Sequence, residues 1–153
     1  MSQITYVTGD ATDPVGAGTK IIAHVCNDYG GWGAGFVKAV SRRWPEPEAS
    51  YRNHYRTYGL DLGDVQYIPV ADSLWVANMV AQHGYGIREP AIRYGTLREC
   101  LYRLGTFALH RGASVHMPRI GCGLAGGQWS EVEPIIQDEL CARDIPVTVY
   151  DLP

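Results

Sequence analysis

The sequence predicts an α/β domain in which helices cover both faces of a largely parallel sheet. Stretches rich in β-branched and aromatic residues alternate with stretches whose apolar residues recur every three or four positions. With 153 residues and 46% hydrophobic content, the chain is long enough for one sizeable core and too short for two ordinary domains. We therefore expect a single domain over residues 1–153.

Six stretches have the composition of β-strands. Their Val, Ile, Thr and Tyr residues favour a pleated, half-buried backbone, and turn residues such as Gly, Asp and Pro separate them. The predicted strands cover residues 4–8, 21–25, 65–70, 74–80, 114–117 and 147–150.

Four helices are predicted between the strands. In the longest, leucines repeat at three- and four-residue spacing and Gly112 supplies the stop. Residues 130–133 (SEVE) match a capping box, so we expect a helix to begin near them with Pro134 in its first turn. The Trp44-Pro45 pair should break the first two helices apart. The predicted helices cover residues 35–43, 46–58, 93–111 and the stretch from 130 onward.

Composition argues against several classes of protein. The formal net charge is -3 and the basic residues are scattered, so a polynucleotide groove is not expected. The four cysteines are widely spaced without a C-x-x-C pair, which argues against a zinc site or a disulfide framework. Neither a signal peptide nor a membrane-spanning apolar run is evident. We expect a cytoplasmic monomer that contacts no membrane and needs no metal.

Two glycine-rich loops each follow a predicted strand and lead into a helix. They are residues 24–36 (HVCNDYGGWGAGF) and 117–129 (MPRIGCGLAGGQW). Glycines let backbone N–H groups approach a ligand, and the start of a helix favours an anion, so a protein of negative net charge can hold a phosphate there. One such loop is as often only a tight turn. Two in equivalent positions favour a pyrophosphate-binding site.

The second loop also allows a dinucleotide-binding alternative, because residues 121–126 (GCGLAG) match G-x-G-x-x-G. That fingerprint opens a βαβ unit and requires several later strands, whereas one predicted strand follows here. No glycine loop ends in Gly-Lys-Ser or Gly-Lys-Thr, so a Walker A motif is absent as well. Both alternatives fail on sequence context.

With these residues in view, the chain resembles the macrodomain family. The matching motifs are residues 4–10 (ITYVTGD), the 24–36 loop, 117–124 (MPRIGCGL) and 147–150 (VTVY), which together span nearly the whole chain. The resemblance is to the branch of ADP-ribose glutamate hydrolases, ADP-ribose-1''-phosphate phosphatases and small bacterial hydrolases. It implies a three-layer α/β/α sandwich around a mixed six-stranded sheet, with ADP-ribose as the ligand and no cofactor.

The resemblance also assigns binding roles. Asp10 lies where a carboxylate accepts a hydrogen bond from the adenine amino group, although an aspartate there can instead cap a turn. Tyr150 lies on the last strand where a partly exposed aromatic ring stacks on adenine, although a lone tyrosine there is more often part of the core. Asn27 lies at the distal ribose. The residues implied to contact ADP-ribose are Gly9, Asp10, Ala11, His24, Asn27, Gly30, Gly31, Trp32, Gly33, Ala34, Gly35, Phe36, Gln82, Pro118, Arg119, Ile120, Gly121, Cys122, Gly123, Leu124, Ala125, Gly126 and Tyr150.

Catalytic residues are harder to assign. Where the animal hydrolase has a lysine and an aspartate, this sequence has Gln82 and Ala125, and the aspartate that another branch places after its glycine loop is also missing. Our hypothesis is that Asn27, Gln82 and the ligand phosphate hold a water that attacks the anomeric carbon. His83 or Asp28 would accept its proton. The alternative is that His83 orders its loop and Asp28 caps a turn.

Other side chains of these loops carry simpler expectations. His24 should be a buried side chain with its hydrogen bonds satisfied, and Cys26 and Cys122 should have packing roles, because nothing nearby favours a thiolate. Trp32, a large ring inside a glycine loop, is a candidate gate for the pocket. Tyr85 shares the polar 81–86 segment with the proposed catalytic residues.

The leading functional prediction is release of ADP-ribose from modified glutamate or aspartate side chains. The alternatives are a phosphatase acting on ADP-ribose-1''-phosphate, a reader that binds ADP-ribose without chemistry, and a hydrolase of ADP-ribosylated nucleic acid. The expected partners are therefore ADP-ribose and ADP-ribosylated protein or nucleic acid. A nucleic acid would need a basic rim, for which the candidates are Arg42, Arg43, Arg88 and Arg93.

Overall fold

The computed structural model describes residues 2–84 and 91–153, apart from the side chain of Leu124. Its strands are β1 (Thr5–Thr8), β2 (Lys20–Asn27), β3 (Val65–Ala71), β4 (Leu74–Gln82), β5 (Ser114–Met117) and β6 (Val147–Asp151). They form one sheet in the order β1-β6-β5-β2-β4-β3. Only the β3–β4 pair is antiparallel among these six strands. The predicted mixed, largely parallel sheet is confirmed.

Helices cover both faces of the sheet. They are α1 (Phe36–Arg43), α2 (Glu46–Tyr58), α3 (Tyr94–Arg111) and α4 (Trp129–Glu139). On one face Val37, Val40 and Tyr51 of α1 and α2 pack against Ile22 and Val76. The larger core lies on the other face, under α3 and α4. This is the predicted three-layer sandwich. Within the described residues, no helix combines the length and the apolar character needed to cross a bilayer.

The start of α4 differs from the prediction. The helix begins at Trp129 after Gln128, and no side chain caps it, so the expected capping box at Ser130 is wrong. A tertiary contact sets the start instead, because the Gln128 N–H donates to the Tyr94 hydroxyl at 3.0 Å. As a result Pro134 lies in the second turn of the helix, and both Pro134 and Ser130, whose carbonyl it cannot bond, are exposed residues.

The sheet order places both glycine loops at one edge. Strand β2 lies between β4 and β5 and runs parallel to both, so the chain leaves all three strands on the same side. Strands β2 and β4 extend beyond their predicted ends to Asn27 and Gln82, which are register partners next to a bulge at Cys26. These two polar residues close the strands at the edge where ligands of parallel sheets bind.

Two histidines of the sheet, His24 on β2 and His116 on β5, are buried. His24 Nε2 lies 2.6 Å from Asn78 Oδ1, and His116 is bonded to Ser114 and Tyr150. Burial lowers the pKa of each histidine to about 4, since the charged imidazolium loses its hydration. Their neutral state is therefore part of the folded structure at pH 7.

This burial predicts a loss of stability in mild acid. The pKa of a histidine in the unfolded chain is about 6.5. As the pH falls from 7 to 5, the unfolded chain therefore binds protons that the folded chain does not bind, which stabilises the unfolded state. Each buried histidine should lower the free energy of unfolding by about 2 kcal/mol over that interval. Denaturant titrations at both pH values measure the effect, and His116→Gln should lose less between them than the unmodified protein. An equal loss in both proteins would contradict the assignment.

Candidate functional site

A cavity of about 560 Å³ lies between the two glycine loops, beyond the carboxyl ends of β2, β4 and β5. Its size suits a small organic ligand. Most of its wall comes from residues that the sequence predicted to contact a ligand. The described lining residues are His24, Val25, Cys26, Asn27, Gly31, Gly33, Ala34, Gly35, Phe36, Val37, Gln82, Pro118, Arg119, Ile120, Gly121, Cys122, Gly123 and Ala125.

Asn27 organises the first glycine loop. Its Oδ1 accepts hydrogen bonds from the N–H groups of Tyr29 and Gly31 and from the Tyr51 hydroxyl, and its Nδ2 donates to the Gly31 carbonyl. The single hydrogen of that hydroxyl is shared with the Asn27 carbonyl, which lies 2.5 Å from the hydroxyl oxygen. An amide nitrogen has two N–H groups, and among the described residues the second of them has no acceptor. It is available to a ligand in the cavity that Asn27 lines.

Two loop residues predicted to contact a ligand do not line the described cavity. Gly30 has a φ of 79° and packs on Tyr55, where a Cβ would approach the ring to 2.5 Å, so it is a glycine for helix packing. Trp32 is 4% exposed, lies between the rings of His24 and Tyr51, and donates through Nε1 to Ser41. The expected gate at Trp32 is therefore wrong, because the ring belongs to the core beneath α1 and α2.

The second glycine loop closes on itself. The Gly127 N–H donates to the Gly121 carbonyl at 2.7 Å, and the Gly126 N–H donates to Gly123 at 3.0 Å. A Cβ on Gly127 would lie 2.3 Å from that carbonyl oxygen, so only glycine permits this approach. Gly121 and Gly123 line the cavity with positive φ, whereas Gly126 is not among its described lining residues. For Leu124 the structure describes only the backbone.

One end of the cavity carries neutral amides. Gln82 and Ala125 both line the wall. Gln82 Nε2 donates to the Gly84 carbonyl at 3.4 Å, and its strand partner Asn27 lies beside it. Of the described lining side chains, only Arg119 is charged at neutral pH. The described wall thus offers hydrogen bonds at this end and no carboxylate or amine.

Asp28 and His83 bond to each other and are absent from the described cavity wall. The Asp28 carboxylate lies 2.8 Å from His83 Nδ1 and accepts the Gly84 N–H at 3.0 Å. The Tyr29 ring packs edge-on against His83. These contacts fit the alternative in which Asp28 and His83 order a turn. Tyr85 lies outside the described residues.

The remaining polar groups of the cavity wall are neutral. His24 is 1% exposed and bonded to Asn78, which confirms the expectation of a buried, satisfied side chain. Burial raises the pKa of the Cys26 thiol, and burial likewise raises that of Cys122, so neither cysteine is a thiolate nucleophile. The packing roles expected for both cysteines fit these surroundings.

The residues assigned to adenine lie beside the described cavity wall. Asp10 Oδ1 accepts bonds from the N–H and hydroxyl of Thr12, while its other oxygen lies 3.9 Å from Arg43. Asp10 therefore caps a turn with one oxygen and leaves the other near a cation. Gly9 and Ala11 flank it, and no described lining residue comes from this turn.

Tyr150 differs from its expectation. Its ring is only 4% exposed, and its hydroxyl accepts the Val15 N–H at 2.9 Å and lies 2.7 Å from His116 Nδ1. The expectation of a partly exposed ring is wrong, because Val15 and His116 pack against the residue and bond its hydroxyl.

The arginines considered for a nucleic-acid rim have separate surroundings. Arg43 donates to the Thr12 hydroxyl at the Asp10 turn, whereas Arg42 lines a shallow groove with Lys38 and Trp32. Arg93 precedes α3 in the chain, and Arg88 lies outside the described residues.

The sequence missed several residues that build the site. Val25, Cys26 and Val37 line the cavity, and Tyr51 supports Asn27 from helix α2. Val25 and Cys26 could have been included, because they precede Asn27 in the same strand. No local sequence pattern predicts the role of Tyr51, because it lies 24 residues from Asn27 on another element.

Comparisons with known proteins identify the family. No protein-family model matches the sequence. A solved structure of a macrodomain protein from Streptomyces coelicolor is 55% identical, has a TM-score of 0.87, and is matched over 97% of this chain and 99% of its own. A Bacteroides thetaiotaomicron protein of unknown function is 52% identical, with a TM-score of 0.96 and 98% of each chain covered.

Curated relatives include larger and similarly sized proteins. Mouse chromodomain-helicase-DNA-binding protein 1-like is 34% identical over 99% of this chain, which spans only 18% of that protein. An ADP-ribose 1''-phosphate phosphatase of Saccharomyces cerevisiae is 26% identical, with 99% of this chain and 100% of that protein covered. The human ADP-ribose glycohydrolase OARD1 is 27% identical, with 99% and 93% covered. With its sheet order, its two glycine loops and 55% identity to a macrodomain protein, this chain belongs to the macrodomain family.

Proposed function

We propose that this protein binds ADP-ribose in the cavity between its glycine loops and hydrolyses ADP-ribose from modified glutamate or aspartate side chains. The observation that carries the proposal is the cavity itself, walled by two glycine loops at the carboxyl edge of the sheet. Backbone N–H groups can bind a diphosphate there without a cluster of cations, which suits a chain of net charge -3.

The ligand is oriented by the chemistry of each wall. The loop of Gly121 and Gly123 would hold the diphosphate, and the amides of Asn27 and Gln82 would lie at the distal ribose. Asp10 would then face the adenine end, where its second oxygen, 3.9 Å from Arg43, can also accept a hydrogen bond from the amino group. The yeast and human relatives, which this chain covers almost completely, both carry names that describe enzymes acting on ADP-ribose compounds.

A site with neutral amides favours one linkage. A carboxylate released from modified glutamate has a pKa of about 4.3 and leaves as an anion without a proton donor. A guanidine released from modified arginine is far more basic than a carboxylate and is therefore the poorer leaving group. The described wall near Gln82 holds no group that titrates near neutrality, so carboxylate esters are the substrates that such a site can process.

The attacking water would be held by the free N–H of Asn27, by Gln82 and by a ligand phosphate oxygen, which would accept its proton. His83 and Asp28 have no part in this version of the mechanism, because they are bonded to each other and are not among the described lining residues. The phosphatase alternative has less support. A second phosphate beside Gln82 would find Arg119 as the one cation among the described lining residues, and that guanidinium is already paired with Asp151.

The proposal predicts a specific effect of Gln82→Ala. We expect kcat for release of ADP-ribose from a glutamate-linked target to fall about 100-fold, because the water loses one of its positioning groups. Affinity for ADP-ribose, measured by calorimetry, should change less than about threefold. The matched control is Gln137→Ala, which removes the same side chain from an exposed position on α4.

Two outcomes would contradict this account. If the unmodified protein binds ADP-ribose and releases none from the ester-linked target, the hydrolase proposal fails and a reader function is the better explanation. If release is unchanged in Gln82→Ala, the reaction occurs without the proposed water site.

A further inference from the structure

We propose that the guanidinium plane of Arg119 is the surface on which the adenine ring of ADP-ribose stacks. The inference rests on the proposed ADP-ribose binding and deepens it by assigning the contact that holds the base. The Tyr150 ring is buried and its hydroxyl is bonded to Val15 and His116, so it does not present an exposed face for adenine to stack on. Another residue must therefore provide the stacking surface.

Arg119 connects the cavity with the turn that carries Asp10. It lines the cavity wall, and its Nε and Nη2 donate to the two carboxylate oxygens of Asp151 at 2.7 and 3.0 Å. Asp151 is the register partner of Thr8, and its carbonyl accepts the Gly9 N–H at 2.8 Å. A base extending from the cavity towards Asp10 therefore passes Arg119.

The Arg119 guanidinium is fixed in orientation by hydrogen bonds and packs against two aromatic rings. The two hydrogen bonds to Asp151 prevent rotation of the plane. The rings of Tyr6 and Trp129 lie 5.2 and 5.1 Å from its central carbon. Those rings are themselves linked, because Trp129 Nε1 donates to the Tyr6 hydroxyl, which bonds Glu133. The Arg119 side chain is still 39% exposed, so part of its surface remains for a ligand.

This arrangement suits a flat neutral base better than a phosphate. The Asp151 carboxylate offsets the positive charge and occupies two of the five N–H donors that a phosphate would use. A planar, weakly hydrated guanidinium stacks well on nucleobases and aromatic rings. We therefore assign Arg119 to the base and leave the diphosphate to the backbone of the second glycine loop.

The test separates the plane of Arg119 from its charge. Arg119→Lys keeps the charge and removes the stacking plane, so its affinity for ADP-ribose should fall about tenfold by calorimetry. Arg98→Lys is the matched control, because Arg98 also pairs with carboxylates, Asp138 and Glu139, on another part of the surface. In the unmodified protein, the NMR signal of the Arg119 Nε–H group should move on addition of ADP-ribose, through the ring current of the stacked base.

Each result decides the inference. Affinity of Arg119→Lys equal to that of the unmodified protein would overturn it, as would an unmoved Arg119 signal at saturating ADP-ribose. Failure of the unmodified protein to bind ADP-ribose at all would be distinguishable, since it refutes the proposed function itself.

Discussion

Replacing Gly33 with glutamate should weaken ADP-ribose binding by at least about 100-fold. Gly33 lines the cavity, and a Cβ built on it has no described atom within 4 Å, so the new side chain fits without displacing the fold. Its carboxylate would occupy ligand space and repel the diphosphate at short range, where two like charges cost several kcal/mol in a protein environment. Calorimetry with ADP-ribose measures the change, and release from the ester-linked target should stop with it.

The matched control is Gly95→Glu. Gly95 is exposed in the first turn of α3, a Cβ there also has no described atom within 4 Å, and it does not line the described cavity. This variant should bind ADP-ribose like the unmodified protein. Equal affinity of Gly33→Glu and Gly95→Glu would place the ligand outside the cavity.

Replacing Asn27 with alanine should have the second large effect. The substitution removes four hydrogen bonds of the first glycine loop, those to the Tyr29 and Gly31 backbones and to the Tyr51 hydroxyl. Because such bonds contribute about 1 kcal/mol each, we expect the free energy of unfolding to fall by about 2–4 kcal/mol. ADP-ribose affinity should fall about 100-fold, since the loop loses its ligand-ready conformation and Asn27 its free N–H.

Asn53→Ala provides the comparison, because Asn53 is exposed on α2 and alanine suits a helix. Denaturant titration and calorimetry on both variants separate a general effect of losing an asparagine from the loss of the loop. Full affinity in folded Asn27→Ala would show that the first glycine loop does not position the ligand.

Much of the fold was accessible from local patterns. The alternation of strand-like and helical stretches gave the layers, and helix α2 has the predicted bounds of Glu46–Tyr58. The two glycine loops were visible as strand-to-loop-to-helix transitions, and both border the cavity. These features depend on residues that are close in sequence, so local patterns are sufficient to predict them.

The errors all concern contacts between distant parts of the chain. Tyr150 is buried against Val15 and His116, which lie 135 and 34 residues away, and no local pattern in residues 147–150 indicates those contacts. The Trp32 side chain lies in the core because its ring packs against the rings of His24 and Tyr51. The start of α4 depends on the hydroxyl of Tyr94, at the first turn of another helix.

The pairing of Asp28 with His83 shows the same limit at the proposed catalytic end. Both residues were candidates for a proton acceptor because each follows a strand at the ligand edge. Their 2.8 Å contact directs the two side chains to each other. A candidate base is identified by its geometry as well as its type, and that geometry was set by residues 55 positions apart.

Binding of ADP-ribose in the cavity between the two glycine loops can be observed residue by residue. Its most direct test follows the backbone amide NMR signals of the protein during titration with ADP-ribose. We expect the largest changes at Gly33, Gly121 and Gly123, which line the cavity. The signal of Gly112, at the C-terminal end of α3, should change little. Unchanged loop signals at saturating ligand, or changes confined to another surface, would contradict binding in this cavity.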